Sequence, residues 1–248
     1  MLKKIKQLFT IRKKSEPNHK QEIVLCIHGF GRRLEHEFDN FLLWNNGKYN
    51  FKTFPIYHIQ DEKDNNPDVW IQRCEKEIER YQKEGYEVSL LGFSMGGVLA
   101  SHLAAKYGAK KLFLIAPAFD YLHVGNIVNT AVNKLKKPAS PSTVILPSSF
   151  TSTFMEVVKR CKEDIEKVNC PICIIHGDKD ETIPLRSSLN AYEKVKTMKK
   201  LWILHEGKHR MMLHENTAWE CWQLFNLFMD DKIITSRPIF AKDIFNEK

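Results

Sequence analysis

Six short stretches of this chain are almost continuous in apolar residues: EIVLCIHG (22–29), TFPIYHI (53–59), EVSLLGF (87–93), KLFLIAP (111–117), PICIIHG (171–177) and KLWILHE (200–206). Runs of this length without polar alternation are expected of strands covered on both faces. Between them the spacing changes to that of helices. A polar helical stretch lies around 35–44. PDVWIQRCEKEIERYQKEG (67–85) opens on Pro67, repeats apolar residues at Val69, Ile71, Cys74 and Ile78, and ends at Gly85. Helical runs follow at 95–107, at 185–196 and in the closing AWECWQLFNLFM. Strands alternating with helices call for right-handed crossovers, and so for an α/β fold with a mostly parallel central sheet and helices on both faces.

The alternation breaks once. Residues 119–169 hold the Pro- and Ser-rich PASPSTVILPSSFTST, followed by an amphipathic helix expected from Thr153 to Val168, where Thr153 and Glu156 have capping-box spacing. The pattern predicts one α/β domain over 21–248, carrying an insertion between its third-last and second-last strands, behind a basic arm at 1–20.

Composition narrows the function classes. The 248 residues carry a net charge of +8. Residues 1–20 contain seven Lys/Arg against Glu16, a net +6, which leaves +2 for the other 228. The basicity therefore belongs to an arm rather than to a globular face, and no nucleic-acid-binding signature accompanies it. Leu2, Ile5, Leu8 and Phe9 fall at helical spacing in the arm. Two readings stay open for it: a solvated tail, or a peripheral contact with anionic membrane. No apolar run spans a bilayer or forms a secretory signal, so the cytoplasm is the expected compartment. The six cysteines are scattered, and CPIC (170–173) opens a strand rather than a helix, which favours ordinary buried thiols over a redox motif. HEFDN and HENTA both lack the second histidine of a zinc-hydrolase helix, so neither metal nor cofactor is expected.

The chemistry concentrates where strands end. Gly92-Phe93-Ser94-Met95-Gly96 places a serine between glycines at a strand-to-helix corner, matching the G-x-S-x-G of a nucleophile elbow. HGDKDETIP (176–184) then offers Asp178 and Asp180, and HEGKHRMMLHE offers His205, His209 and His214. Asp120, just after an earlier strand, is a further candidate acid. A serine needs a base, and the base needs a group to orient it.

With these motifs the chain resembles the α/β-hydrolases, in particular the bacterial carboxylesterase and monoacylglycerol lipase branch. The resemblance rests on HGFG (28–31), GFSMGG (92–97), HGDKDETIP and GKH (207–209), and covers residues 22 to about 229. It implies Ser94 as nucleophile, Asp180 as acid, His209 as base, and the backbone amides of Phe30 and Met95 as the oxyanion hole. It also puts 119–169 where the family carries its lid. Apart from the resemblance, His28 and His176 are expected to support loops through hydrogen bonds, and His102, on the helix behind Ser94, to be structural. Only the basic arm precedes the HGFG strand, so the two antiparallel strands of larger family members are expected to be missing. The expected activity is cofactor-free hydrolysis of small carboxylic esters through an acyl-enzyme. Thioesterase, lysophospholipase, proline-releasing aminopeptidase and a non-catalytic binding protein stand as the alternatives.

Overall fold

The computed structural model describes residues 21–121 and 146–232. The basic arm lies outside them, as do residues 122–145 of the expected insertion. Six strands, β1 (Glu22–Ile27), β2 (Phe51–Thr53), β3 (Glu87–Phe93), β4 (Leu112–Ile115), β5 (Ile172–Gly177) and β6 (Lys199–Leu204), form one sheet in the order β2-β1-β3-β4-β5-β6. Every pairing is parallel.

The apolar runs divide by residue parity. Ile23, Leu25 and Ile27 of β1, Val88 and Leu90 of β3, Leu112 and Leu114 of β4, and Ile172 and Ile174 of β5 enter one core. Their neighbours Val24, Cys26, Leu91, Phe93, Phe113, Ile115, Cys173 and Ile175 enter the other. The first core is roofed by α2 (Pro67–Lys83), α3 (Met95–Tyr107), α4 (Ser148–Cys161) and α5 (Arg186–Lys194). The second is closed by α1 (Asp39–Trp44) and α6 (Glu215–Met229), through Phe41, Trp222 and Phe225. A strand buried on both faces has no polar positions to spare, which is why the runs read as continuous.

Three expectations are corrected. The strand expected over 53–59 is confined to Phe51–Thr53. Pro55 has no N–H for a ladder, and Ile56 and Tyr57, adjacent in sequence, are both fully buried instead of alternating. The helix expected from Thr153 begins at Ser148 and ends at Cys161, with a 3-10 turn over Lys162–Lys167. Thr153 is therefore no cap: inside the helix its hydroxyl donates to the Ser149 carbonyl at 3.0 Å and also reaches the Asn65 carbonyl. The stretch at 35–44 splits into a 3-10 turn, Leu34–Phe38, and α1. Among the described residues no helix is long and apolar enough to cross a membrane, and no cluster of His, Cys, Asp and Glu could hold a metal.

Candidate active site

Ser94 stands between the last residue of β3 and the first of α3, at φ 54° and ψ −117°. This backbone is costly for a residue with a Cβ, and three hydrogen bonds hold it. The Ser94 N–H donates to the Ile115 carbonyl at 2.9 Å, while the Ser94 carbonyl accepts from Gly97 at 3.0 Å and Ala118 at 3.1 Å. The corner also requires glycine. A Cβ at Gly92 would lie 2.5 Å from the Gly96 carbonyl oxygen, and one at Gly96 only 1.9 Å from that of Ile27. The close approach at Gly96 seats the start of α3 on the end of β1, and a Cβ at Gly29, the residue before Phe30, would lie 3.1 Å from the Ser94 Cβ. As the first helical residue, Met95 presents an amide with no acceptor within its own helix, at the positive end of the helix dipole.

Asp180 lies in the loop after β5 and His209 in the loop after β6. The two loops meet where Gly177 passes Gly207, a contact so close that a Cβ on Gly177 would sit 2.0 Å from the Gly207 carbonyl oxygen. Across this contact the Nδ1–H of His209 donates to Asp180 Oδ2 at 2.9 Å. Its Nε2 accepts from the Ser94 hydroxyl at 3.2 Å. The Phe93 ring packs against the imidazole, with centroids 5.0 Å apart.

The Asp180 side chain is 1% exposed. Burial alone would raise its pKa, but hydrogen bonds from His176 and His209 outweigh it and hold the carboxyl well below the usual carboxylate range. The other carboxylate oxygen, Oδ1, accepts the Thr182 and Ile183 amides, each at 2.8 Å. His176 is locked as well. Its Nε2–H is shared between the Ile183 carbonyl at 3.0 Å and Asp180 Oδ2 at 3.2 Å, and its Nδ1 accepts from Ser188 Oγ at 2.7 Å.

The alternatives lie elsewhere. Asp178 pairs with His205, whose side chain is 83% exposed. Asp120 accepts from Asn190 at 2.6 Å. His214, expected inside the last helix, is the residue that precedes it, in an extended conformation. His102 bridges Glu75 and Asp164 on the outer side of α3. His28 is buried, and burial lowers its pKa to about 4 although its bond to the Gly29 carbonyl opposes the shift. It is therefore neutral, with Nδ1–H donating to the Gly29 carbonyl at 2.8 Å and Nε2 accepting from the Ile56 amide at 2.9 Å.

Sequence reasoning missed Tyr57, Glu37 and Arg210. Tyr57 reaches the backbone of Gly31 through its hydroxyl. Glu37, buried in the 3-10 turn, pairs with Arg210, the neighbour of His209. Burial raises the Glu37 pKa against the opposing charge of Arg210 and Arg33. No local pattern marks these residues, because their partners are distant in sequence.

Solved structures share this arrangement of sheet and helices. A structure reported with the metagenome-derived lipolytic enzymes LipS and LipT superposes with a TM-score of 0.66 at 16% identity, covering 85% of this chain and 94% of that one. An esterase from Exiguobacterium antarcticum gives 0.63 at 15% identity, covering 85% and 92%. The monoacylglycerol lipase of Paleococcus ferrophilus gives 0.64 at 13%, covering 86% and 97%. The fold is thus that of the α/β-hydrolases. A family model described as serine hydrolase (FSH1) matches residues 43–211, and the chain belongs to that family. No curated protein matches the sequence.

Proposed function

We propose that this serine hydrolase cleaves carboxylic esters of small molecules, with Ser94 as nucleophile, His209 as general base and then general acid, and Asp180 orienting His209. His209 removes the Ser94 proton as Oγ attacks the ester carbonyl. The tetrahedral oxyanion is held by the amides of Phe30 and Met95, each such donor being worth roughly 3–4 kcal/mol where measured. Protonated His209 then gives its proton to the departing alcohol. Water, activated by the same imidazole, clears the acyl-enzyme. Asp180 keeps the Nδ1–H tautomer in place and stabilises the imidazolium.

The observation that carries this reading is the unbroken hydrogen-bonded line from Ser94 Oγ through His209 to Asp180, ending on a serine in a strained corner. The reading extends to one domain from residue 21, with 119–169 as its lid, and to a cytoplasmic setting. All six cysteines are buried free thiols, as suits a reducing compartment.

The test is a panel of p-nitrophenyl esters of graded acyl length, monoglycerides, a thioester and a prolyl anilide, assayed with wild type and Ser94→Ala. Turnover of esters that vanishes in Ser94→Ala is expected. Faster turnover of the thioester or anilide would move the protein to another class of acyl transfer.

A further inference from the structure

We propose that Tyr57 is a positioning residue for the oxyanion hole, restraining Phe30, whose amide is the proposed donor, from its C-terminal side through both polar groups of Gly31. This rests on the serine-hydrolase reading above. The Tyr57 hydroxyl accepts the Gly31 N–H at 2.7 Å and donates to the Gly31 carbonyl, also at 2.7 Å. A single hydroxyl thus meets both polar groups of Gly31, which holds φ 154°, a backbone that residues with a side chain rarely adopt. A side chain there would be strained by this backbone, and its Cβ, 2.9 Å from Arg210 Nη2, would also make the end of that arginine shift.

The Gly31 N–H belongs to the peptide following Phe30, so the Tyr57 bond restrains Phe30 on its C-terminal side. The peptide preceding Phe30 carries the proposed oxyanion donor. Its carbonyl, that of Gly29, accepts from His28 Nδ1–H at 2.8 Å. The two peptides flanking the Phe30 Cα are therefore each tied to a buried side chain that takes no part in bond making.

Tyr57 is itself immobilised. Its ring stacks on Trp70 with centroids 4.3 Å apart and meets His28 and Phe150 edge-on. Burial raises the phenol's pKa, so the hydroxyl keeps the proton that it donates to Gly31. The bend at residues 54–59 that replaces the expected strand is what turns both Tyr57 and the Ile56 amide toward this loop. Tightening of an oxyanion hydrogen bond is felt in the transition state more than in the ground state. A loosened Phe30 amide should accordingly lower kcat and spare KM.

The experiment uses the full chain and Tyr57→Phe, which keeps the stacked ring and removes only the hydroxyl. Tyr49→Phe serves as control, because its hydroxyl bonds Asn226 and Asp230 at the opposite end of the sheet. Tyr57→Phe should lower kcat by roughly 10- to 100-fold, below the full loss of an oxyanion donor, with KM changed less than about threefold. Affinity for a trifluoromethyl ketone, which binds as a tetrahedral adduct, should fall by the same factor as kcat. Tyr49→Phe should keep wild-type kcat. A Tyr57→Phe protein with wild-type kcat, or with lower kcat and unchanged inhibitor affinity, overturns the proposal. Should that variant fail to fold, hydrogen exchange of the wild type decides: a Gly31 amide as protected as core strands supports the clamp, and one exchanging like an exposed loop refutes it. A wild type whose Ser94 resists fluorophosphonate sinks the underlying hydrolase reading, an outcome separate from any behaviour of Tyr57→Phe.

Discussion

Replacing Asp180 by Asn tests the acid assignment where the structure is most demanding. The side chain is 1% exposed and accepts four hydrogen bonds, two from the Thr182 and Ile183 amides and two from His209 and His176. An asparagine can keep its oxygen toward the turn amides only by aiming its NH₂ at two ring N–H groups. His209 can relieve the clash by moving its proton to Nε2, the atom that in the proposed mechanism accepts the Ser94 proton. His176 cannot, because its Nε2–H also serves the Ile183 carbonyl and its Nδ1 accepts from Ser188. The wrong tautomer at the base costs about 10⁴ in kcat where the equivalent change has been measured, or about 5 kcal/mol of barrier. The unpaired donors left in the loop cost about 1–3 kcal/mol each in stability. The assay is kcat/KM on a p-nitrophenyl ester together with a urea melt. An Asp180→Asn enzyme within tenfold of wild type, alongside an inactive Asp178→Asn or Asp120→Asn, would refute the reasoning.

Three further outcomes are expected. His28 is held near 4 against an ordinary 6.5, so the unfolded chain takes up its proton first as pH falls. The stability this group contributes is complete above about pH 6.5 and is lost on the way down through pH 4, roughly 3 kcal/mol in all; urea melts that do not weaken between pH 7 and 4.5, or a His28 ring found charged at pH 5 by NMR, would contradict it. His209→Ala should abolish turnover while His205→Ala and His214→Ala stay within about twofold of wild type, as surface substitutions generally do; an inactive His214→Ala would reassign the base. Gly96→Ala drives a methyl into the Ile27 carbonyl and should cost more than about 3 kcal/mol by thermal melting, whereas a variant as stable as wild type would show that the β1–α3 contact is looser than described.

The strands and helices around the serine were legible in the sequence because their signals are local. β3 and α3 occupy the residues that the pattern assigns to them, since one run is apolar on both faces and the next is bounded by the elbow glycines. TFPIYHI misled for a physical reason: its apolar residues are buried one by one as loop side chains, and periodicity cannot distinguish that from a strand. The helix expected at Thr153 starts five residues earlier because the hydroxyl bonds inside the helix and across to Asn65 instead of capping. Asp178 and Asp180 are equivalent in local sequence. Only the crossing of the two glycine-bearing loops turns one carboxylate inward to His209 and leaves the other on the surface with His205. The contacts of Tyr57 with Gly31, and of His176 with Asp180, depend on where loops meet in space.

The central claim is that Ser94 is the activated nucleophile. It is tested most directly by treating the full chain with a fluorophosphonate, weighing the intact protein and mapping the modified peptide. One adduct per chain on Ser94, formed faster as His209 loses its proton and absent from Ser94→Ala and His209→Ala, is the predicted result. An adduct on any other residue, or a wild type that remains unmodified while still hydrolysing esters, would contradict the account.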